Sequence, residues 1–188
     1  MSTIPRIPRL TADTAPEGSR DLVSRAIANN GFLPHLVATL AHAPAALETY
    51  AKVTEINGRT SLAIAERETV QIAAARANGC DFCVAGHSKI ALKKAGLAPA
   101  LVGRLQAGEP TGDARLDALQ RFTSALIEHR GAVPNVELDA FLAAGFDHQQ
   151  ALEVVLGVSL AALCNYANVL SANELNPELQ AFARGAVA

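Results

Sequence analysis

The stretch from Ala151 to Leu170 is apolar enough, and at about 20 residues long enough, to span a bilayer. It also contains Glu153, Asn165 and Asn168, whose polar groups are costly in hydrocarbon. A helix apolar on most sides belongs instead at the centre of a helical domain or at a subunit interface. The stretch is therefore read as a buried helix, and no membrane association is expected. The lone Gly157 inside it is read as a close-packing position and not a break.

Around this helix, almost every long segment repeats its apolar residues with helical spacing, and none alternates as a half-buried strand does. The expected class is all-α. A first helix should begin near Pro16 to Ser19 and end at Asn29-Asn30-Gly31. A second, from about Pro34 to Asn57-Gly58, must be kinked or split by Pro44. A third should run from Ser61 or Leu62 to Ala77 and stop at Asn78-Gly79. A fourth follows through Lys94, with Asp81 as its N-cap or early-turn acid. Further helices are expected at Pro99 to Ala107, Asp113 to Arg130, Asn135 to Ala144 and Asp147 to about Ala172, with a final turn after Pro177. The whole is read as a single domain, with an extended N-terminal arm over 1–15 and a helical domain over 16–188.

Lys plus Arg total 16 against 18 Asp plus Glu, and no basic run interleaved with aromatics occurs, which argues against nucleic acid as a partner. The three cysteines form no even, regularly spaced set of the kind that staples secreted modules. The amino terminus, M-S-T-I-P-R-I-P-R-L, lacks the apolar core and cleavage site of a secretory signal, so a cytoplasmic protein is expected.

Chemistry concentrates in Glu68, Cys80, Cys83 and His87, where C-D-F-C-V-A-G-H follows the carboxylate after an interval of eleven residues. Two thiols separated by two residues support either disulfide exchange or metal binding. The start of a helix favours the first, because its free N–H groups and dipole stabilise a thiolate, and Cys83 is expected to use them best. His87 stands one turn beyond Cys83. If the Gly79 turn makes the flanking helices antiparallel, Glu68 returns beside the early turns of the second, where it can orient His87 and complete a Glu–His–Cys proton relay. A zinc site would need a second CxxC or HxxxH, which is absent, so no metal is expected. Cys164 is read as a small buried residue outside the centre, and His35, His42, His129 and His148 as surface or loop residues. Asn165 and Asn168 are read as bonding internally or across a subunit interface.

The run R-E-T-V-Q-I-A-A-A-R-A-N-G-C-D-F-C-V-A-G-H resembles the signature of the AhpD-like alkylhydroperoxidase group of the carboxymuconolactone decarboxylase superfamily, in the form E-x11-C-x2-C-x3-H. The segment A-A-G-F-D-H-Q-Q-A-L-E-V-V-L-G-V-S-L is similar to the closing helical region of that family. The resemblance implies an AhpD-like helical fold and a homo-oligomer, trimeric or built from trimers. It also implies a thiol-dependent antioxidant activity without a cofactor. Cys83 would attack a small-molecule hydroperoxide or disulfide, Cys80 would resolve the product, and His87 and Glu68 would move protons. An external dithiol would restore the pair. AhpD proteins have a histidine immediately before the second cysteine; Phe82, which cannot shuttle a proton, stands here, so the implied activity is a broader peroxidase or disulfide reductase. Two other readings remain: a lactone decarboxylase-type acid/base enzyme, and a non-catalytic redox-sensing oligomer.

Overall fold

Among the described residues, 4–187 of a computed structural model, the chain forms nine α-helices and a closing 3₁₀ helix, with no strand. The first three residues of the expected arm and the last residue of the expected helical domain lie outside the described residues. Helix α1 spans Glu17–Asn30 and ends on Gly31, whose φ of 78° is the left-handed conformation glycine adopts without a Cβ clash. The expected second helix is split: α2 covers His35–Leu40, a tight turn follows, and Pro44 opens α3, Pro44–Asn57. Proline is tolerated there because a first-turn N–H has no intrahelical partner to lose.

Helix α4, Ile64–Ala77, begins two to three residues later than expected. The Glu66 carboxylate accepts the Ala63 N–H at 2.7 Å, holding Ala63 extended as the cap. Helix α5, Asp81–Lys93, has Cys80 as its N-cap, which leaves Asp81 as the early-turn acid. Helices α6 (Pro99–Ala107), α7 (Ala114–Glu128), α8 (Asn135–Ala143) and α9 (His148–Ser171) follow. Asp113 caps α7, and Asp147 caps α9 by accepting the Gln150 N–H at 2.8 Å. A 3₁₀ helix, Pro177–Phe182, closes the chain.

Helix α4 is the hub. Residues Thr69 to Ala75 are all buried, so this helix is surrounded and not one-sided, and the run Ala73-Ala74-Ala75 keeps it thin enough for close neighbours. One core joins α1 to α3 with the start of α5 and the middle of α9. A second, with Phe122, Phe141 and Phe146 stacked at centroid spacings of 4.3 Å, joins α7 and α8 to α4 and the first half of α9. A third lies between α4, α5 and α6. Arg115 locks the start of α7 to α4 and to the Gly145 turn: its Nε donates to Glu66 at 2.6 Å and its Nη1 to the Gly145 carbonyl at 2.8 Å.

Helix α9 is long and apolar enough, by length and composition, to cross a bilayer. It crosses α4 at Gly157, where a Cβ would lie 3.0 Å from Val70 Cγ1 and where Gln71 Nε2 donates to the Gly157 carbonyl at 2.9 Å. Residues ahead of α1 run along α2 and the end of α9: the Arg6 N–H donates to the Ser171 carbonyl, and His42 Nε2 to the Pro8 carbonyl at 2.7 Å.

Candidate active site

Gly79, with φ of 66°, turns the chain sharply between α4 and α5. This lets α5 return along α4 and delivers Cys80 to the helix N-terminus. The Cys83 N–H donates to Cys80 Sγ at 3.4 Å. The free amide of the first helical turn is therefore directed at Cys80, whereas the spacing had suggested Cys83. Cys83 lies inside the first turn, its side chain folded into the core, and both residues are buried free thiols.

The two sulfurs titrate as one system. The side-chain hydrogen bond from Cys83 holds the Cys80 thiol below its ordinary range against the opposing effect of burial. The Cys83 N–H, the Asn168 amide and the charge of His87 reinforce it. Cys83 is driven well above its ordinary range, first by that same bond to Cys80, then by burial and by the charges of Cys80 and Cys164.

His87 Nδ1 and Glu68 Oε2 are 2.8 Å apart. A carboxylate only accepts, so Nδ1 bears the hydrogen and Nε2 is left for proton exchange. Glu68 is buried and His87 partly exposed. The structure therefore brings all four sequence-predicted residues into one region, with His87 acting through its charge on Cys80.

Two residues of α9 join the site that sequence reasoning did not assign to it. Asn168 Nδ2 donates to Cys83 Sγ at 3.3 Å, and Asn165 Oδ1 accepts from Asn78 Nδ2 at 3.0 Å. Both asparagines are at most 2% exposed. Their bonds are internal, one of the two outcomes expected for them. The usable signal was their spacing: two amides three residues apart share one face of an otherwise apolar helix, and amides buried there need partners.

A cavity of about 230 Å³ opens on the pair; Gly79, Cys80, Asp81 and Phe82 line one side, and Asn168, Val169, Ala172 and Asn173 the other. Of the two cysteines, Cys80 lines this space directly, and Cys83 touches it through its bond to Asn168. A larger cleft of about 320 Å³, around Arg76, Gln120 and Glu137, touches none of the site residues. His35 departs from its expected surface role. It is half-buried at the start of α2, its Nδ1 lies 2.8 Å from the Glu174 carbonyl, and its ring is 6.4 Å from that of Phe82. Burial holds its pKa below the usual value. Cys164 is buried in the same packed cluster as the pair, and its thiol is pushed up to about 12 by burial and the charge of Cys80. Among the described residues, no group of three His, Cys, Asp or Glu is arranged to hold a metal ion.

Residues 41–119, which include Glu68, Cys80, Cys83 and His87, match the carboxymuconolactone decarboxylase family. No curated protein matches the chain. Among solved structures, the fold is similar to an alkylhydroperoxidase AhpD core, an uncharacterized peroxidase-related protein from Ralstonia eutropha JMP134. The TM-score is 0.84 and the identity 21%, covering 98% of each chain. It is similar to a peroxidase-related protein from Silicibacter sp. TM1040, with a TM-score of 0.79 and 18% identity over 95% of this chain and 97% of that one. It is also similar to the debrominase Bmp8, with a TM-score of 0.77 and 14% identity over 97% and 96%. Residues 41–119 thus carry the pattern of the carboxymuconolactone decarboxylase family, and the chain has an AhpD-like fold along its length.

Proposed function

We propose that this protein is a thiol-dependent oxidoreductase that reduces an organic hydroperoxide or a partner disulfide through Cys80 and Cys83, drawing electrons from an external dithiol. The observation behind this reading is the pair itself: two free thiols at a helix N-terminus, with the Cys83 N–H donating to Cys80 Sγ, in the same region as a carboxylate-held imidazole. In the first step the Cys80 thiolate attacks the terminal oxygen of R–O–O–H. The O–O bond breaks, Cys80 becomes a sulfenic acid, and the alkoxide takes a proton from the His87 relay to leave as R–OH. In the second step Cys83 attacks the Cys80 sulfenic acid, forming the S–S bond and releasing water. An external dithiol then exchanges with the disulfide, becoming a disulfide itself and returning two thiols.

The order is the reverse of the one implied by the family resemblance. Cys80 lines the cavity and its sulfur accepts the Cys83 N–H, so it is the one we expect an incoming oxidant to meet. Glu68 keeps His87 in the tautomer whose Nε2 can exchange protons.

A second reading rests on the likeness to the debrominase, which has been solved in complex with 2,3,4-tribromopyrrole. Reductive removal of bromine from an aromatic ring would use the same pair, converting Ar–Br and two thiols to Ar–H, bromide, a proton and a disulfide.

The test is single-turnover oxidation of the reduced protein with cumene hydroperoxide, followed by peptide mass spectrometry. Formation of a Cys80–Cys83 disulfide is expected, with turnover when dithiothreitol is supplied. Cys80→Ser should abolish peroxide consumption, and Cys83→Ser should leave a sulfenic acid at Cys80 that dimedone traps. Glu68→Gln should lower turnover by about 10²-fold or more. Wild-type turnover in either cysteine variant would sink the mechanism. Bromide release from a bromopyrrole without peroxide turnover would select the second reading.

A further inference from the structure

The larger cleft lies away from the dithiol, where the end of α4 meets the end of α6, the second half of α7 and the start of α8. Its volume of about 320 Å³ is in the range that holds a small organic molecule. Two residues of its wall, Arg76 and Gln120, carry buried polar atoms that nothing in the protein satisfies. Arg76 Nε–H and Gln120 Oε1 are both shielded from solvent, and neither has a hydrogen-bond partner among the described residues. Native folds leave few such groups, because each forfeits its hydration without return, so two in one cavity wall call for a reason.

Arg76 is a cation without a counter-ion. Among the described residues it takes part in no ion pair, and its one hydrogen bond, from Nη2 to Ser124 Oγ, is long at 3.4 Å. The Ser124 hydroxyl hydrogen is itself committed to the Gln120 carbonyl at 2.9 Å. Burial and the charge of Arg184 hold the Arg76 pKa below its ordinary range, effects that a bound anion would oppose. The guanidinium is nevertheless held in place. It rests on Gly108 at the end of α6, where a Cβ would collide with Nη1 and Cζ and where φ is 78°.

Gln120 is 6% exposed, and its orientation is fixed. Nε2 donates to the Glu109 carbonyl at 3.2 Å, and turning the carboxamide over would set oxygen against oxygen. Oε1 therefore stands as an acceptor in want of a donor. Ala125, Pro134 and Val136 give the cleft an apolar side. At the rim Arg121 and Glu137 offset each other at 4.0 Å, and Glu128 and His129 are exposed to solvent, which leaves Arg76 as the inner charge. Water would serve the acceptor but brings no opposite charge to the guanidinium.

We propose that this cleft binds a small organic acid that carries a hydroxyl or an amine. Its carboxylate pairs with Arg76, its hydroxyl or amine donates to Gln120 Oε1, and its apolar body rests against Ala125, Pro134 and Val136. A guanidinium meets the two oxygens of a carboxylate with paired N–H groups. Phosphate would meet the same groups but gains nothing from the apolar side, so it is the weaker ligand. The site is separate from Cys80 and Cys83, and nothing in it depends on the thiol redox reading.

The experiment is titration calorimetry of the full chain with mandelate, lactate and phenylalanine, which each combine a carboxylate with a donor. Three controls each remove one feature: phenylacetate lacks the donor, mandelamide lacks the charge, and inorganic phosphate lacks the apolar body. Mandelate should bind saturably, about tenfold or more tighter than mandelamide and several-fold tighter than phenylacetate or phosphate. Arg76→Gln should weaken mandelate by about tenfold or more and leave mandelamide unchanged. Gln120→Leu should abolish the preference for mandelate over phenylacetate. In the wild-type protein the Arg76 Nε–H resonance should move as mandelate is added and stay in place with mandelamide, a readout that holds even if the variants do not fold.

Failure of mandelate, lactate and phenylalanine alike to bind at millimolar concentration overturns the proposal. So does mandelate binding that Arg76→Gln leaves intact, or a wild-type Arg76 resonance that does not move at saturation. Phosphate binding as tightly as mandelate would reveal a general anion contact and overturn the assignment of an organic acid. Binding abolished by Cys80→Ser in place of Arg76→Gln would put the ligand in the dithiol cavity and overturn it equally.

Discussion

Gly157 and Gly86 both sit inside helices, and replacing each with alanine should change stability in opposite directions. Alanine is favoured over glycine in a helix interior by about 1 kcal/mol, so on backbone grounds alone both substitutions stabilise. Around Gly86 an added Cβ meets nothing within 4 Å, and the gain should survive at about 0.5–1 kcal/mol. At Gly157 the added Cβ would lie 3.0 Å from Val70 Cγ1, inside the separation of about 3.5–4.0 Å at which carbon atoms attract best. Val70 is β-branched, 1% exposed and packed in the second core, so it has neither a free rotamer nor room to retreat. Overpacking of this kind costs about 1–3 kcal/mol, and pushing α9 off α4 also strains the bond from Gln71 to the Gly157 carbonyl. Gly157→Ala should therefore be destabilised by about 1–2 kcal/mol net. The two variants should differ by about 2 kcal/mol, or roughly 4–8 °C in Tm for a chain of this length. Calorimetry or urea unfolding measures it. A Gly157→Ala protein as stable as Gly86→Ala would show that α9 does not approach α4 as closely as described.

Two other outcomes are expected. The Cys164 thiol, pushed up to about 12, stays protonated in the folded protein while an unfolded thiol ionises near about 8.5. Its stabilising contribution is full below that lower value and is lost as pH rises toward the upper one, with a slope of at most about 1.4 kcal/mol per pH unit. Urea midpoints should decline above about pH 8.5, and Cys164→Ala should flatten the decline; an unaltered slope would refute the attribution. Leu152, Val155, Tyr166, Val169 and Leu170 are each at least 44% exposed and fall within a stripe about 100° wide on the outer side of α9, and we propose that a second copy of the chain covers it. Sedimentation should show a homo-oligomer, a trimer or an assembly of trimers, that Tyr166→Lys with Leu170→Glu dissociates. A wild-type monomer at micromolar concentration would count against this proposal.

The local features were legible because their causes are local. Pro44 splits a helix wherever it stands in one, Gly31 and Gly79 stop helices by adopting left-handed φ, and Asp147 caps the helix that follows it. The start of α4 was misjudged by two to three residues because its cap is a glutamate reaching backward, Glu66 to Ala63, a geometry that no single residue type announces. The four motif residues were legible as a set from their spacing, as was the close-packing role of Gly157. His35 was misjudged because a histidine after proline looks like a loop residue until Glu174, far along the chain, comes to meet it.

The sequence alone determined an all-α chain with its breaks and caps, and a dithiol at a helix start with a histidine and a glutamate at antiparallel spacing. These follow from backbone preferences and from the repeat of a single helix. The tertiary structure decided which sulfur lines the cavity and which asparagine bonds to the pair. Cys80 caps α5, accepts the Cys83 N–H and lines the cavity, whereas Cys83 lies within the first turn of the helix. Asn168 meets Cys83 across 85 positions of chain only because α9 crosses α4 at Gly157 and brings its polar face over the pair. No pattern within one helix encodes the position and angle of that crossing, since both depend on how side chains from separate segments pack against each other.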